Sequence, residues 1–125
     1  MHREVEAGEH MDDPLVLLYV PCGSGEEAVR IASELLDKRL IACANIYASR
    51  SLYHWQGALA DETEHVLICK TLASRSVEAH SVIKQAHSYD VPCILTFNPA
   101  RANDEFYRWA TGEVREAASP DVTAR

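Results

Sequence analysis

The chain has 125 residues, 47% of them hydrophobic and 25% charged, with a formal net charge of −7. That size and balance fit one soluble globular domain that can bury its own core. The negative charge disfavours nucleic acid or an anionic membrane as partner, and no apolar run approaches the ~20 residues of a membrane span.

Residues 1–13, MHREVEAGEHMDD, hold too little apolar surface to offset the entropy of ordering, so a disordered leader is expected there. The leader has no apolar signal core, which makes the cytoplasm the expected location. Leu15 to Val20 is a continuous apolar run stopped by Pro21, Cys22 and Gly23, the pattern of a strand covered on both faces. Ser24 with Glu27 three residues on predicts a helix start. Ala28, Ile31, Ala32, Leu35 and Arg39 then share one helical face.

The stretch from Leu40 to Gly57 carries no helical stripe. At a period of two, Leu40, Ala42, Ala44, Ile46, Ala48 and Leu52 share one face, and Ile41, Cys43, Tyr47, Tyr53 and Trp55 the other. A strand this long would span roughly 50 Å at ~3.3 Å per residue, more than so small a domain covers alone. A second copy of the chain is the expected partner. A turn over Gly57 to Asp61 leads to a return strand from Glu64 to Leu72. A second helix runs from Arg75, with Ala79, Val82, Ile83 and Ala86 inward, and ends at HSYDVP, because Pro92 disfavours helical geometry at Val91. Cys93 to Phe97 is a short strand, and Asn103 opens a third helix bearing Phe106, Tyr107 and Trp109 and closed by Gly112. The domain is expected over residues 14–112, with a flexible tail over 113–125.

The predicted order, β-α-β-β-α-β plus a helix, is the α+β ferredoxin-like arrangement of an antiparallel sheet with a long hairpin. Right-handed crossovers place the first and last strands side by side and both helices on one face. The other face stays apolar and again calls for a partner.

Cys22, Cys43, Cys69 and Cys93 lie more than twenty residues apart without a CxxC pair, unlike a structural zinc site. The topology nevertheless brings Cys22 and Cys93 to one edge of the sheet, beside the loop holding His87, Tyr89 and Asp90. Three readings compete there. Thiol and imidazole ligands suit copper or zinc. A Cys–His–Asp nucleophilic triad is possible in composition but lacks an obvious oxyanion hole. Simple packing of buried thiols is the third. The segment CGSGEEA offers glycines at a helix start, but Glu26 and Glu27 in the first turn would repel phosphate.

Three stretches, KRLIACANI, SLYHWQG and HSYDVP, with CKT between the last two, make the chain resemble the CutA divalent-cation tolerance family from about Pro14 to Thr111. Cys43 and Asn45 match that family's A-C-x-N segment, Tyr53, Trp55 and Gly57 its Y-x-W-x-G, and Lys70 and Thr71 its lysine-threonine pair. His87, Tyr89 and Pro92 match its H-P-Y-x-x-P loop. Ser88, Asp90 and Cys93 depart from it, standing where proline, glutamate and an acidic residue are usual. The resemblance implies a ferredoxin-like fold, a cytoplasmic homotrimer built through the 40–72 hairpin, copper or another divalent ion as ligand, and no catalytic activity. Its architecture is similar to that of the PII signalling proteins. A PII-like module binding a small molecule or protein partner in clefts between subunits is therefore the alternative, and a thiol hydrolase comes third. The expected metal ligands are Cys22, His87, Asp90 and Cys93.

Overall fold

A computed structural model describes residues 4–6 and 12–115. Its elements are β1 (Glu4–Glu6), β2 (Leu15–Cys22), α1 (Gly25–Asp37), β3 (Cys43–Trp55), β4 (Ala58–Leu72), α2 (Ala73–Ala86), β5 (Leu95–Phe97), β6 (Arg101–Asn103) and α3 (Asp104–Arg115). Strands β3-β4-β2-β5 form one antiparallel sheet in that order. This is the expected ferredoxin-like α+β fold, with β2 and β5 adjacent, β3 and β4 as the long hairpin, and α3 added.

Alternation along β2 explains the layering. Val16, Leu18, Val20 and Cys22 are buried, whereas Leu15, Leu17, Tyr19 and Pro21 are half-buried on the opposite face. Leu18, Val20 and Cys22 join Leu67 and Cys69 of β4, Ala28, Ile31 and Leu35 of α1, and Ala79 and Ile83 of α2 in one core. Each such Leu or Ile contributes ~1.5–3 kcal/mol of burial free energy. A smaller cluster of Ala42, Leu72, Ala110 and Val114 packs α3 against the end of the sheet.

Several boundaries differ from expectation, each for a local reason. β2 continues through Pro21 to Cys22. β5 begins only opposite Tyr19, so no strand asks Pro21 for an N–H on that side. The hairpin turn is tighter than predicted, with Trp55 paired to Ala58 across Gln56 and Gly57. Both turn residues have positive φ, 52° and 83°, as a two-residue turn of type I′ demands. Residues 58–63 therefore belong to β4, where Arg50 grips Asp61 with two hydrogen bonds of 2.9 and 2.8 Å. α1 ends at Asp37, and Arg39 takes a left-handed conformation (φ 57°) while its guanidinium reaches the Glu113 carbonyl and carboxylate.

α3 runs through Gly112 to Arg115. Its last turn is held from outside: Arg75 donates to the Val114 carbonyl, and Arg115 meets the Asp13 carboxylate at 3.0 Å. Asp13 also accepts the backbone N–H and hydroxyl of Ser74, so it caps α2, whose own N-cap residue Leu72 has no polar side chain. Burial would raise the Asp13 pKa, but the Ser74 hydrogen bonds and Arg115 together hold it below the ordinary value. Asp13 is thus an ordered part of the domain. β1 pairs with β6 through Glu4↔Asn103. The rest of the expected leader, and the expected tail beyond Arg115, lie outside the described residues.

Candidate functional site

The β2–α1 turn and the α2–β5 loop meet at one end of the sheet, and a single side chain joins them. Glu27, in the first turn of α1, points back out of its helix. Its Oε1 accepts the Gly23 N–H at 3.0 Å and its Oε2 the Ser88 N–H at 2.7 Å. Ser24 caps the helix as predicted, its hydroxyl accepting the Glu27 N–H at 3.1 Å. Glu27, read from sequence as part of that cap and as a charge repelling phosphate, is the clasp between two loops.

His87 completes the joint. Its Nε2 donates to the Pro21 carbonyl at 2.8 Å and its Nδ1 accepts the Tyr89 N–H at 3.1 Å. The carbonyl only accepts and the amide only donates, so the tautomer protonated at Nε2 satisfies both. The His87 Nδ1 lies 3.9 Å from Glu27 Oε2, and its ring sits 4.7 Å from that of Tyr89. Cys22, fully buried below, donates weakly to the Val20 carbonyl. One donor atom from each of Cys22, Glu27 and His87 falls within 4.8 Å of the others, the one such group of three among the described residues. Burial, then the nearby carboxylates Glu27 and Glu64, push the Cys22 thiol up to about 11.

Of the four residues expected as ligands, the structure brings Cys22 and His87 together and sets Asp90 and Cys93 elsewhere. Both of those are exposed and line a neighbouring cleft of about 720 Å³. The reason is strand parity. The β2–β5 register pairs Tyr19 with Leu95, and continued two residues it brings Cys93 opposite Pro21, not Cys22. The two thiols therefore belong to opposite faces of the sheet.

The cleft floor is built by β3 and β4. Tyr53 donates to Glu62, and Tyr89 donates to Glu64 at 2.7 Å. Trp55 adds an indole to the wall. Hydrogen bonding to Glu62, then burial and the surrounding negative charge, push the Tyr53 phenol up to about 12. The Tyr89 phenol is raised further, by burial and then by Glu64. Sequence reasoning missed Glu62 and Glu64, although period-two alternation puts both on the face of Tyr53 and Trp55 once the turn is placed at Gln56.

Fold and layout define a ferredoxin-like α+β module with a long hairpin and a polar joint at one sheet edge. Among the described residues no helix is long and apolar enough to cross a membrane. The family model described as CutA1 divalent ion tolerance protein matches residues 16–113. A divalent-cation tolerance protein CutA of Archaeoglobus fulgidus is 39% identical over 92 residues, covering 74% of this chain and 90% of that protein. The crystal structure of CutA1 from Ehrlichia chaffeensis is 37% identical, covers 84% of this chain and 95% of its own, and superposes with a TM-score of 0.76. CutA from Synechococcus elongatus reaches a TM-score of 0.82 at 27% identity, over 90% of this chain and 96% of its own. This chain belongs to the CutA1 divalent ion tolerance family. These matches do not favour the PII-like alternative.

Proposed function

We propose that this chain assembles into a cytoplasmic homotrimer through its β3–β4 hairpin and serves metal tolerance by binding a divalent or monovalent cation, copper first. The metal enters where Cys22, Glu27 and His87 meet, with Asp90 and Cys93 as accessory donors at the mouth of the adjoining cleft. The observation that carries the reading is the convergence of a thiol, an imidazole and a carboxylate within 4.8 Å. This donor set fits copper or zinc better than magnesium or calcium. Binding costs the thiol proton and the hydrogen bond between Tyr89 and His87.

The role is binding, not catalysis. A buried thiol raised to about 11 is a poor nucleophile. Assembly is supported by the face of the sheet that the helices leave open, where Tyr47, Leu95, Phe97 and Trp55 are all exposed in the single chain. Large aromatic and aliphatic side chains left exposed on one face fit an interaction site.

Competition with a Cu(I) chelator under anaerobic conditions tests the site. Cys22→Ser and His87→Ala are each expected to weaken copper binding at least tenfold. Asp90→Ala and Cys93→Ser have smaller effects. Because one thiol proton leaves per metal bound, affinity should rise about tenfold per pH unit below the thiol pKa. Equal affinity in all five proteins would overturn the assignment.

A further inference from the structure

A second imidazole flanks Cys22, from the β4 side. The β2–β4 register pairs Cys22 directly with His65. Directly opposed residues share a face of the sheet, with their β-carbons ~4.5–5.5 Å apart. By strand alternation His65 lies on the same side as Leu67 and Cys69, the side that α1 and α2 cover. Its ring rests on the first residue of α1: a Cβ placed on Gly25 would stand 3.3 Å from Cδ2 and 3.5 Å from Nε2. Because Gly25 has no Cβ, the ring keeps that space.

The other edge of the ring is the telling one. His65 Nδ1 is buried and has no hydrogen-bond partner, the one side-chain nitrogen or oxygen in that condition among the described residues. Both nitrogens of His87, by contrast, are engaged, with the Pro21 carbonyl and the Tyr89 N–H. A buried polar atom left unpaired weakens the fold, and a bound ion is one reason for keeping it. Orphaned buried N–H groups are rarer than under-used acceptors, which puts the proton on Nε2 and a free lone pair on Nδ1. A free imidazole lone pair opposite a thiol is a metal donor. His65 stands outside the group whose donor atoms already lie within 4.8 Å of one another. Glu27 and His87 come to Cys22 from α1 and from the end of α2, so the β4 side of the thiol is left to His65. With the two β-carbons already neighbours, a side-chain rotation brings Nδ1 and the sulfur onto one ion.

We propose that His65 is a further ligand of the Cys22 centre, entering through Nδ1 from the β4 side. Bound copper then meets one thiolate and two imidazoles, with the Glu27 carboxylate as a weaker fourth donor. The inference rests on the metal reading of Cys22, Glu27 and His87 and completes it. Two imidazoles and a thiolate beside a weak oxygen form a donor set that proteins use for copper.

X-ray absorption of the full chain loaded anaerobically with Cu(I) tests the proposal without any substitution, because it counts imidazoles at the metal. Two are expected in wild type and one in His65→Phe, whose phenyl ring keeps the packing against Gly25 and removes only the nitrogens. Competition with a Cu(I) chelator should show binding at least fivefold weaker in His65→Phe. His65→Ala, which empties the space instead of filling it, should weaken binding as much. A histidine that merely packs would move neither the imidazole count nor the affinity. A single imidazole at the metal in wild type would overturn this inference and leave the metal reading standing. So would copper binding that needs Cys22 and His87 yet is unchanged in both His65 variants. Wild-type protein that binds no copper through Cys22 would overturn both.

Discussion

Replacing Glu27 with alanine is expected to lower folding stability by roughly 2–5 kcal/mol, because two part-buried backbone donors lose a charged acceptor worth ~1.5–3 kcal/mol each. Those donors, the N–H groups of Gly23 and Ser88, belong to loops that no strand ladder joins. In a domain of this size, the melting temperature should fall by more than about 10 °C. Glu27→Gln keeps one carbonyl oxygen but turns an amide N–H toward the other donor, so it should recover no more than half of the loss. The effect also has a pH signature. Burial would raise the Glu27 pKa, but the bonds from Ser88 and Gly23, with His87 nearby, outweigh it and hold the pKa below the ordinary 4.5. A depressed carboxylate contributes its stability in full above the unfolded value and loses it as pH falls through the lower folded value. Wild type should therefore lose stability in acid below about pH 4.5 more steeply than Glu27→Gln. A melting change under 2 °C in Glu27→Ala would show that the clasp is ornamental.

Trp55→Ala is expected to break the assembly. The helices cover β4 only as far as His65, whose ring would lie 3.3 Å from a Cβ placed on Gly25. Beyond it the hairpin continues to the turn at Gln56, and Trp55 is 50% exposed in the single chain. If the neighbouring chain buries this indole, its truncation removes ~3–5 kcal/mol per subunit from the assembled state. That is enough to dissociate a trimer at micromolar concentration, or to cut its melting temperature sharply. Light scattering and thermal melting of Trp55→Ala decide the matter. A trimer with unchanged melting would place the hairpin away from the interface.

Element order and topology were legible because each strong signal was local. LVLLYV is apolar throughout, Ser24 and Glu27 carry cap spacing, and Pro92 breaks a helical pattern. The layering of Leu18, Ile31 and Ile83 follows from those elements alone. Side-chain convergence was less legible, because it rests on register and on bonds between loops. Cys22 and Cys93 reach the same edge as expected, yet a one-residue offset in pairing sends them to opposite faces. Glu27 looked like an ordinary cap partner because nothing local distinguishes a carboxylate that turns back to its own helix from one that reaches Ser88, 61 positions away. The first half of the return strand is less legible, because Ala58 to Thr63 is almost wholly exposed and lacks the apolar alternation of a buried strand. Its pairing comes from cross-strand partners such as Arg50 and Asp61, which only the fold brings together.

Native mass spectrometry of the protein loaded anaerobically with Cu(I) tests the central claim most directly, because it counts chains and metal ions in one particle. The account predicts three chains carrying three copper ions, and three chains carrying none when Cys22→Ser and His87→Ala are combined. A monomer, or a trimer whose copper content is the same with and without those two side chains, would contradict it.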